Sequence, residues 1–130
     1  MKLPNTIFTP DQDSKAPFMD ALKVLIDKDL PIEITYDLLT IVKKIDEKAA
    51  VFEEARMALV KKHGKEKDGQ LEVPKKNIQA FSDDYTKLAA IEEEYDIEPL
   101  ELDMAVLKEN NVVIKPKTLL LLDKIIKLKK

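Results

Sequence analysis

The sequence predicts a mainly α-helical fold: a long antiparallel helical hairpin with a short N-terminal helix, a C-terminal helix and a small two-stranded β patch. Two observations lead to this prediction. Apolar residues recur at spacings of three and four in two long segments, and a polar loop of about ten residues, which contains both glycines, separates them. Because so short a loop reverses the chain, the two helices are expected to pack side by side. The 130 residues are expected to form one domain.

Residues 1–13 are predicted to form an extended arm, since they contain two prolines and offer a single apolar anchor, Ile7 with Phe8. The arm either covers the core of its own chain or exchanges with another copy. A short helix is predicted over residues 14–28, with Ser14 or the aspartate before it as the N-terminal cap.

The long helix of the hairpin is predicted over residues 33–63. Its apolar stripe consists of Ile34, Leu38, Ile41, Ile45, Ala49, Phe52, Arg56, Leu59 and His63. Residues 32–34 also fit a brief strand, which leaves the start open, whereas Gly64 marks the end. About 30 helical residues span roughly 45 Å, more than the diameter of a compact domain of this size. The helix is therefore expected to project or to be covered by a partner.

A second hairpin helix is predicted over residues 74–95, opening at Pro74. Its apolar series consists of Ile78, Phe81, Tyr85, Leu88 and Tyr95. In an antiparallel arrangement its aromatic residues meet Ile45, Phe52 and Leu59 of the first helix.

Residues 97–115 are predicted to be an extended and turn segment, because apolar and acidic residues alternate in its first part and residues 112–114 are β-branched. The two-stranded patch is expected here. A C-terminal helix is predicted over residues 116–129. Its apolar residues lie on more than one side, so either the rest of the chain wraps it or one side meets another molecule. The candidate contact residues are Leu119, Leu122, Ile125 and Ile126.

Few residues could perform chemistry. The chain has no cysteine, one histidine and two serines, Ser14 and Ser82. His63 lies at a helix terminus, where a cation favours the helix dipole, and a metal site would need further ligands of its kind. We therefore predict no catalytic residue, no cofactor, no metal site and no enzymatic activity.

Charge is distributed unevenly along the chain. Residues 77–103 carry a net charge of −8 and residues 104–130 a net charge of +5. The acidic run that includes Glu92, Glu93 and Glu94 lacks the spacing of a calcium loop, so we interpret it as a solvated face or a docking surface for a basic partner. Opposite charges in consecutive segments can neutralise each other within one chain or can order identical subunits head to tail.

Arg56 is the only arginine and falls in the apolar stripe. Its stem can cover Phe52 while its guanidinium reaches a carboxylate, so we predict a structural clasp with Glu92, Glu94 or Glu98.

Binding to nucleic acid is not expected, because arginine is scarce and the basic tail has no interleaved aromatic residue. The tail consists of Lys124, Lys127, Lys129 and Lys130. No segment has the pattern of a signal peptide or of a membrane-spanning helix. The protein is expected to be neither secreted nor membrane-spanning.

Several of these features occur together in one order. Leu30-Pro31 opens a long helix that contains Phe52-Glu53-Glu54-Ala55-Arg56 and ends in Lys-Lys-His-Gly, followed by a second helix, an acidic and apolar stretch, and a closing helix after Pro116. Over about residues 22–127 the chain resembles a family of small proteins, a domain of unknown function, encoded by tailed bacteriophages and prophages. The resemblance implies a phage origin and a location in the virion or the host cytoplasm. It implies no catalytic residue.

Two functions follow from these expectations. The first is a non-enzymatic structural or assembly protein of a tailed phage, whose hairpin and C-terminal helix join copies of itself or another phage structural protein. The alternative is a cytoplasmic accessory or regulatory factor that binds a host or phage protein through its acidic segment.

Overall fold

The computed structural model describes residues 1–129, and the predicted mainly α class is confirmed. In this part of the chain the helices are α1 (Pro17–Ile26), α2 (Ile32–His63), α3 (Lys75–Ala90), α4 (Met104–Glu109) and α5 (Pro116–Leu121). The strands are β1 (Lys2–Pro4), β2 (Lys65–Lys67), β3 (Gln70–Glu72), β4 (Glu92–Glu94), β5 (Leu100–Asp103) and β6 (Ile126–Lys129). A 3-10 helix (Asn5–Phe8) follows β1. The last residue of the predicted basic tail, Lys130, lies outside the described residues.

Helices α2 and α3 form the predicted antiparallel hairpin. Phe52 in the middle of α2 contacts Tyr85 in the middle of α3, and His63 at the end of α2 contacts Asp84. Between the two helices, β2 and β3 pair in an antiparallel hairpin. Its turn residues Asp68 and Gly69 both have positive φ angles, as the tight turn of a two-residue β-hairpin requires.

The core face of α2 matches the predicted stripe. Leu38, Ile41, Ile45 and Phe52 are buried, and they join a cluster that draws side chains from α1, the N-terminal segment and the C-terminal segment. The chain therefore covers the part of the stripe from Leu38 to Phe52 itself. Arg56, Leu59 and His63, towards the end of the helix, are half-buried.

The second hairpin helix ends at Ala90, so the prediction that it continues to residue 95 is wrong. Ile91 already has extended backbone angles, and β4 pairs antiparallel with β1. Backbone N–H groups of Asn5 and Tyr95 donate to Ile91 O (2.8 Å) and Met1 O (2.7 Å). Residues 92–94 thus pair with β1 instead of forming a last helical turn. Such a turn would have placed the like charges of Glu92, Glu93 and Glu94 close together.

In this structure the N-terminal arm covers the core of its own chain, which is the first of the two alternatives for residues 1–13. Leu3, Ile7 and Phe8 are buried. Helix α1 begins at Pro17 rather than at residue 14, because the Ser14 hydroxyl accepts a hydrogen bond from the Ala16 N–H (3.1 Å), ahead of the helix, instead of capping it.

The predicted C-terminal helix over residues 116–129 is wrong beyond Leu121. Residues 126–129 form β6, which pairs with β5 in a parallel arrangement. The sequence Ile-Lys-Leu-Lys alternates apolar and charged residues, which is the pattern of a strand, and the pairing places Lys127 beside Glu101 and Lys129 beside Asp103.

The expected two-stranded patch within residues 97–115 is also wrong in its second strand. Residues 112–114 are not a strand, and the partner of β5 comes instead from the end of the chain.

Candidate protein-interaction site

The C-terminal apolar residues that the sequence indicated as contact residues belong to the core. Leu122, Ile125 and Ile126 are buried, and Leu119 is half-buried. The prediction that these residues meet a partner is therefore wrong for the three buried ones. Of the four consecutive leucines, Leu120 is the one that is exposed.

Two of the three glutamates at positions 92–94 pair with basic groups of the same chain. Glu93 Oε2 lies 3.3 Å from Lys48 Nζ, and Glu94 Oε1 lies 3.2 Å from the N-terminal nitrogen of Met1. Glu92 faces Pro4 across the β1–β4 pair and is exposed. A basic partner would therefore compete with internal ion pairs at Glu93 and Glu94, whereas Glu92 makes no ion pair within residues 1–129.

Arg56 does not reach the acidic run, so the predicted clasp has a different partner. Its Nε and Nη2 atoms donate to the two carboxylate oxygens of Glu53 at 3.0 and 2.5 Å, one helical turn earlier on α2. The bond from Arg56 lowers the pKa of Glu53, and the same bond raises the pKa of Arg56. A neighbour at i−3 on the same helix is closer than a carboxylate on the opposite arm.

An aromatic cleft lies where the N-terminal segment meets the hairpin. Its volume is about 560 Å³, which is within the usual range of ligand pockets. The residues that line this aromatic cleft are Phe8, Pro10, Lys15, Phe52, Glu53, Arg56, Phe81 and Tyr85.

The aromatic rings of the cleft form a continuous series across three elements. The ring centroids of Phe8 and Phe52 are 5.6 Å apart, those of Phe52 and Tyr85 are 6.2 Å apart, and those of Phe81 and Tyr85 are 6.1 Å apart. These distances are typical of favourable aromatic pairs. Phe8 and Phe52 are buried, whereas Phe81 and Tyr85 are partly exposed and present apolar surface to the cleft.

The outer wall of the cleft is held in place by a turn and an ion pair. Asp11 Oδ1 accepts hydrogen bonds from the N–H groups of Asp13 and Ser14, both at 2.8 Å, and these bonds lower the pKa of Asp11. The ammonium group of Lys117 donates to the carboxylate of Asp13. The segment that carries Lys15 is thereby fixed to α5.

Two cations stand at the mouth of the aromatic cleft. Lys15 is exposed, and within residues 1–129 it makes no ion pair. Arg56 uses Nε and Nη2 for Glu53, so in the same part of the chain the two N–H groups on Nη1 remain without a hydrogen bond. The mouth therefore carries more positive than negative charge.

A second apolar surface lies on the opposite side of α2, and we call it the α2 ridge. It consists of Ile32, Tyr36 and Leu39, which are 73%, 70% and 43% exposed. Their spacings of four and three place them on one side of the helix. Glu33 and Asp37 flank Tyr36, and both are exposed.

Sequence reasoning missed both surfaces. Ile32, Tyr36 and Leu39 have helical spacing in the sequence. The longer apolar series that begins at Ile34 lies on the other face of the helix, and only that face was predicted to make contacts. The aromatic cleft needs Phe8 beside Phe52, a pairing across 44 positions that no local pattern contains.

Within residues 1–129, no group of acidic and histidine side chains is arranged to hold a metal ion, and no helix is both long and apolar enough to cross a bilayer. Comparison with family models, with curated proteins and with solved structures gives no match for this chain.

Proposed function

We propose that the protein is a non-enzymatic structural or assembly protein of a tailed bacteriophage that acts through protein–protein contacts. The α2 ridge is the observation that supports action through protein–protein contacts. The other main support is the resemblance of residues 22–127 to small phage-encoded proteins.

The α2 ridge is suited to a contact because it is apolar, contiguous and placed on a rigid element. Single exposed apolar residues are common on protein surfaces, but three on one helix face form a patch that water solvates poorly. Burying an apolar side chain of this size contributes about 1.5–3 kcal/mol. The ridge lies on a helix of 32 residues, whose far side is packed into the core, so little ordering is needed on binding.

A regulatory factor that acts through the acidic segment has less support. Glu93 and Glu94 already pair with Lys48 and the N-terminal amino group, and a basic partner would have to displace these contacts. We therefore place the contact on the α2 ridge.

Detection of the chain in purified particles tests the proposal. Particles are purified from a bacterium that carries the gene, washed at high salt, and digested for mass spectrometry. Peptides of this chain at a constant ratio to a known tail or capsid protein are expected. Their loss on washing, with the chain recovered only from the soluble lysate, would count against a structural role.

Mass photometry of the purified chain measures its oligomeric state in solution. Self-assembly predicts species larger than the monomer whose fraction grows with concentration. Replacing Tyr36 and Leu39 with serine is expected to reduce both this fraction and the incorporation into particles. The matched control is Val51→Ser, which changes an exposed residue on another part of α2.

A further inference from the structure

We propose that Tyr36 of one copy inserts into the aromatic cleft of a second copy and so joins copies of the chain head to tail. This inference rests on the proposed function, because it specifies the contact through which the protein joins copies of itself.

The two surfaces are both apolar and aromatic. The aromatic cleft is open at one side, has a volume of about 560 Å³, and presents the rings of Phe81 and Tyr85. Tyr36 is an exposed aromatic residue with two apolar neighbours on its own ridge. A tyrosine ring pairs well with other rings at centroid distances of 4.5–7 Å, and tyrosine is frequent among the residues that dominate interface energies.

The charges around the two surfaces are complementary. Lys15 and the Nη1 group of Arg56 lie at the mouth of the cleft, whereas Glu33 and Asp37 flank Tyr36. Within residues 1–129 neither of these two carboxylates makes an ion pair, so both are free to meet a cation of another copy. Such pairs at the rim accelerate association and fix orientation, and salt weakens them.

A chain cannot fill its own cleft with its own Tyr36. Phe52 lies sixteen positions after Tyr36 on α2, which corresponds to about 24 Å along the helix and about 160° around its axis. The ridge and the cleft therefore lie on opposite faces and at different heights. A contact between two different surfaces of this kind does not close as a symmetric pair, and it produces rings or filaments.

The test uses two variants that each lack one half of the contact. Tyr36→Ala removes the inserted ring. The cleft-blocked variant combines Pro10→Trp, which places an indole in the cleft from an exposed position, with Lys15→Glu, which reverses the charge at its mouth. Circular dichroism and thermal unfolding first confirm that both variants fold. Val51→Ala serves as the control.

The proposal predicts a specific pattern in sedimentation velocity and mass photometry. Wild type and Val51→Ala form larger species at rising concentration. Each of the two variants alone assembles with an affinity reduced by about thirtyfold or more, the loss expected of a dominant interface residue. An equimolar mixture of the two variants forms one-to-one dimers and nothing larger, because only one intact ridge and one intact cleft can meet.

A charge exchange tests the orientation. Asp37→Lys weakens assembly with wild type, and its mixture with Lys15→Glu recovers part of the loss. Assembly by Tyr36→Ala equal to that of wild type overturns the inference and means that a contact without Tyr36 joins the copies. A wild-type chain that is monomeric at every concentration also overturns it. If that monomer is nevertheless found in purified particles, the proposed function survives through contact with a different protein.

Discussion

His63 Nε2 lies 2.8 Å from Asp84 Oδ2, so a side-chain contact joins the end of α2 to the middle of α3. A carboxylate only accepts, and the imidazole N–H therefore donates. Lys62 Nζ donates to the same oxygen at 3.2 Å, and Asn77 Nδ2 donates to the His63 backbone oxygen at 2.8 Å. These bonds hold the outer part of the helical hairpin together, where few apolar side chains are buried.

Replacing Asp84 with asparagine should lower the stability at neutral pH and remove part of its acid dependence. Hydrogen bonds from His63 and Lys62 lower the pKa of Asp84 in the folded chain. The unfolded chain therefore takes up a proton first as the pH falls. The stabilisation is complete above the ordinary aspartate pKa of 3.8 and is lost as the pH falls through the lower folded value.

Urea unfolding between pH 7 and pH 2 measures this effect. The difference in midpoint between wild type and Asp84→Asn should shrink below pH 4, whereas Asp46→Asn, at an exposed position of α2, should follow wild type throughout. A constant difference across the whole range would mean that the Asp84 carboxylate is not involved.

Phe52→Ala should reduce the free energy of unfolding by about 3–5 kcal/mol. Phe52 is buried between Phe8 and Tyr85, so its removal leaves a cavity where the N-terminal segment meets both arms of the hairpin. Denaturant unfolding provides the measurement. Val51→Ala, one position earlier but exposed, should change the stability by less than about 0.5 kcal/mol. Equal losses for the two would show that the face of α2 is assigned wrongly.

Tyr95→Phe should leave the free energy of unfolding unchanged or raise it by at most about 3 kcal/mol. The reason is that the buried hydroxyl has no hydrogen-bond partner within residues 1–129. Burial, with a smaller effect of the Glu93 charge, raises the pKa of Tyr95 to about 12. The unfolded chain thus loses this proton first as the pH rises. Wild type should lose stability above pH 10, and Tyr95→Phe should lose less. Identical alkaline unfolding curves would contradict a buried, unpartnered hydroxyl.

Ile125→Ala should destabilise the chain by about 2–5 kcal/mol, whereas Leu120→Ala should have almost no effect. Ile125 is 0% exposed and Leu120 is 73% exposed. The comparison tests which side of the C-terminal segment is packed into the core, and thermal unfolding of both variants measures it. A larger loss for Leu120→Ala would mean that the opposite side is packed.

The local patterns in the sequence were sufficient for the hairpin. The series from Leu38 to Phe52 has the helical period and one apolar face, and Gly64 ends the helix where the spacing predicts. Such signals are contained within a few turns of chain, so no distant residue was needed to interpret them.

The segments that were predicted wrongly depend on distant partners. Residues 91–95 fit the end of a helix until β1 pairs with them, and β5 pairs with a strand 26 residues further along the chain. The same holds for the aromatic cleft. In each case a tertiary contact outweighs a weak local preference. The partner of Arg56 was missed for the opposite reason, because Glu53 lies only three positions away on the same helix.

Photo-crosslinking from position 36 tests the head-to-tail contact most directly. Tyr36 is replaced by the photoreactive aromatic residue benzoylphenylalanine in a chain labelled with ¹⁵N, which is mixed with unlabelled wild type, illuminated and analysed by mass spectrometry. Crosslinks between labelled position 36 and unlabelled peptides that contain Pro10–Lys15 or Phe81–Tyr85 are predicted. Crosslinks confined to one chain, or to peptides that do not line the aromatic cleft, would contradict the proposed contact.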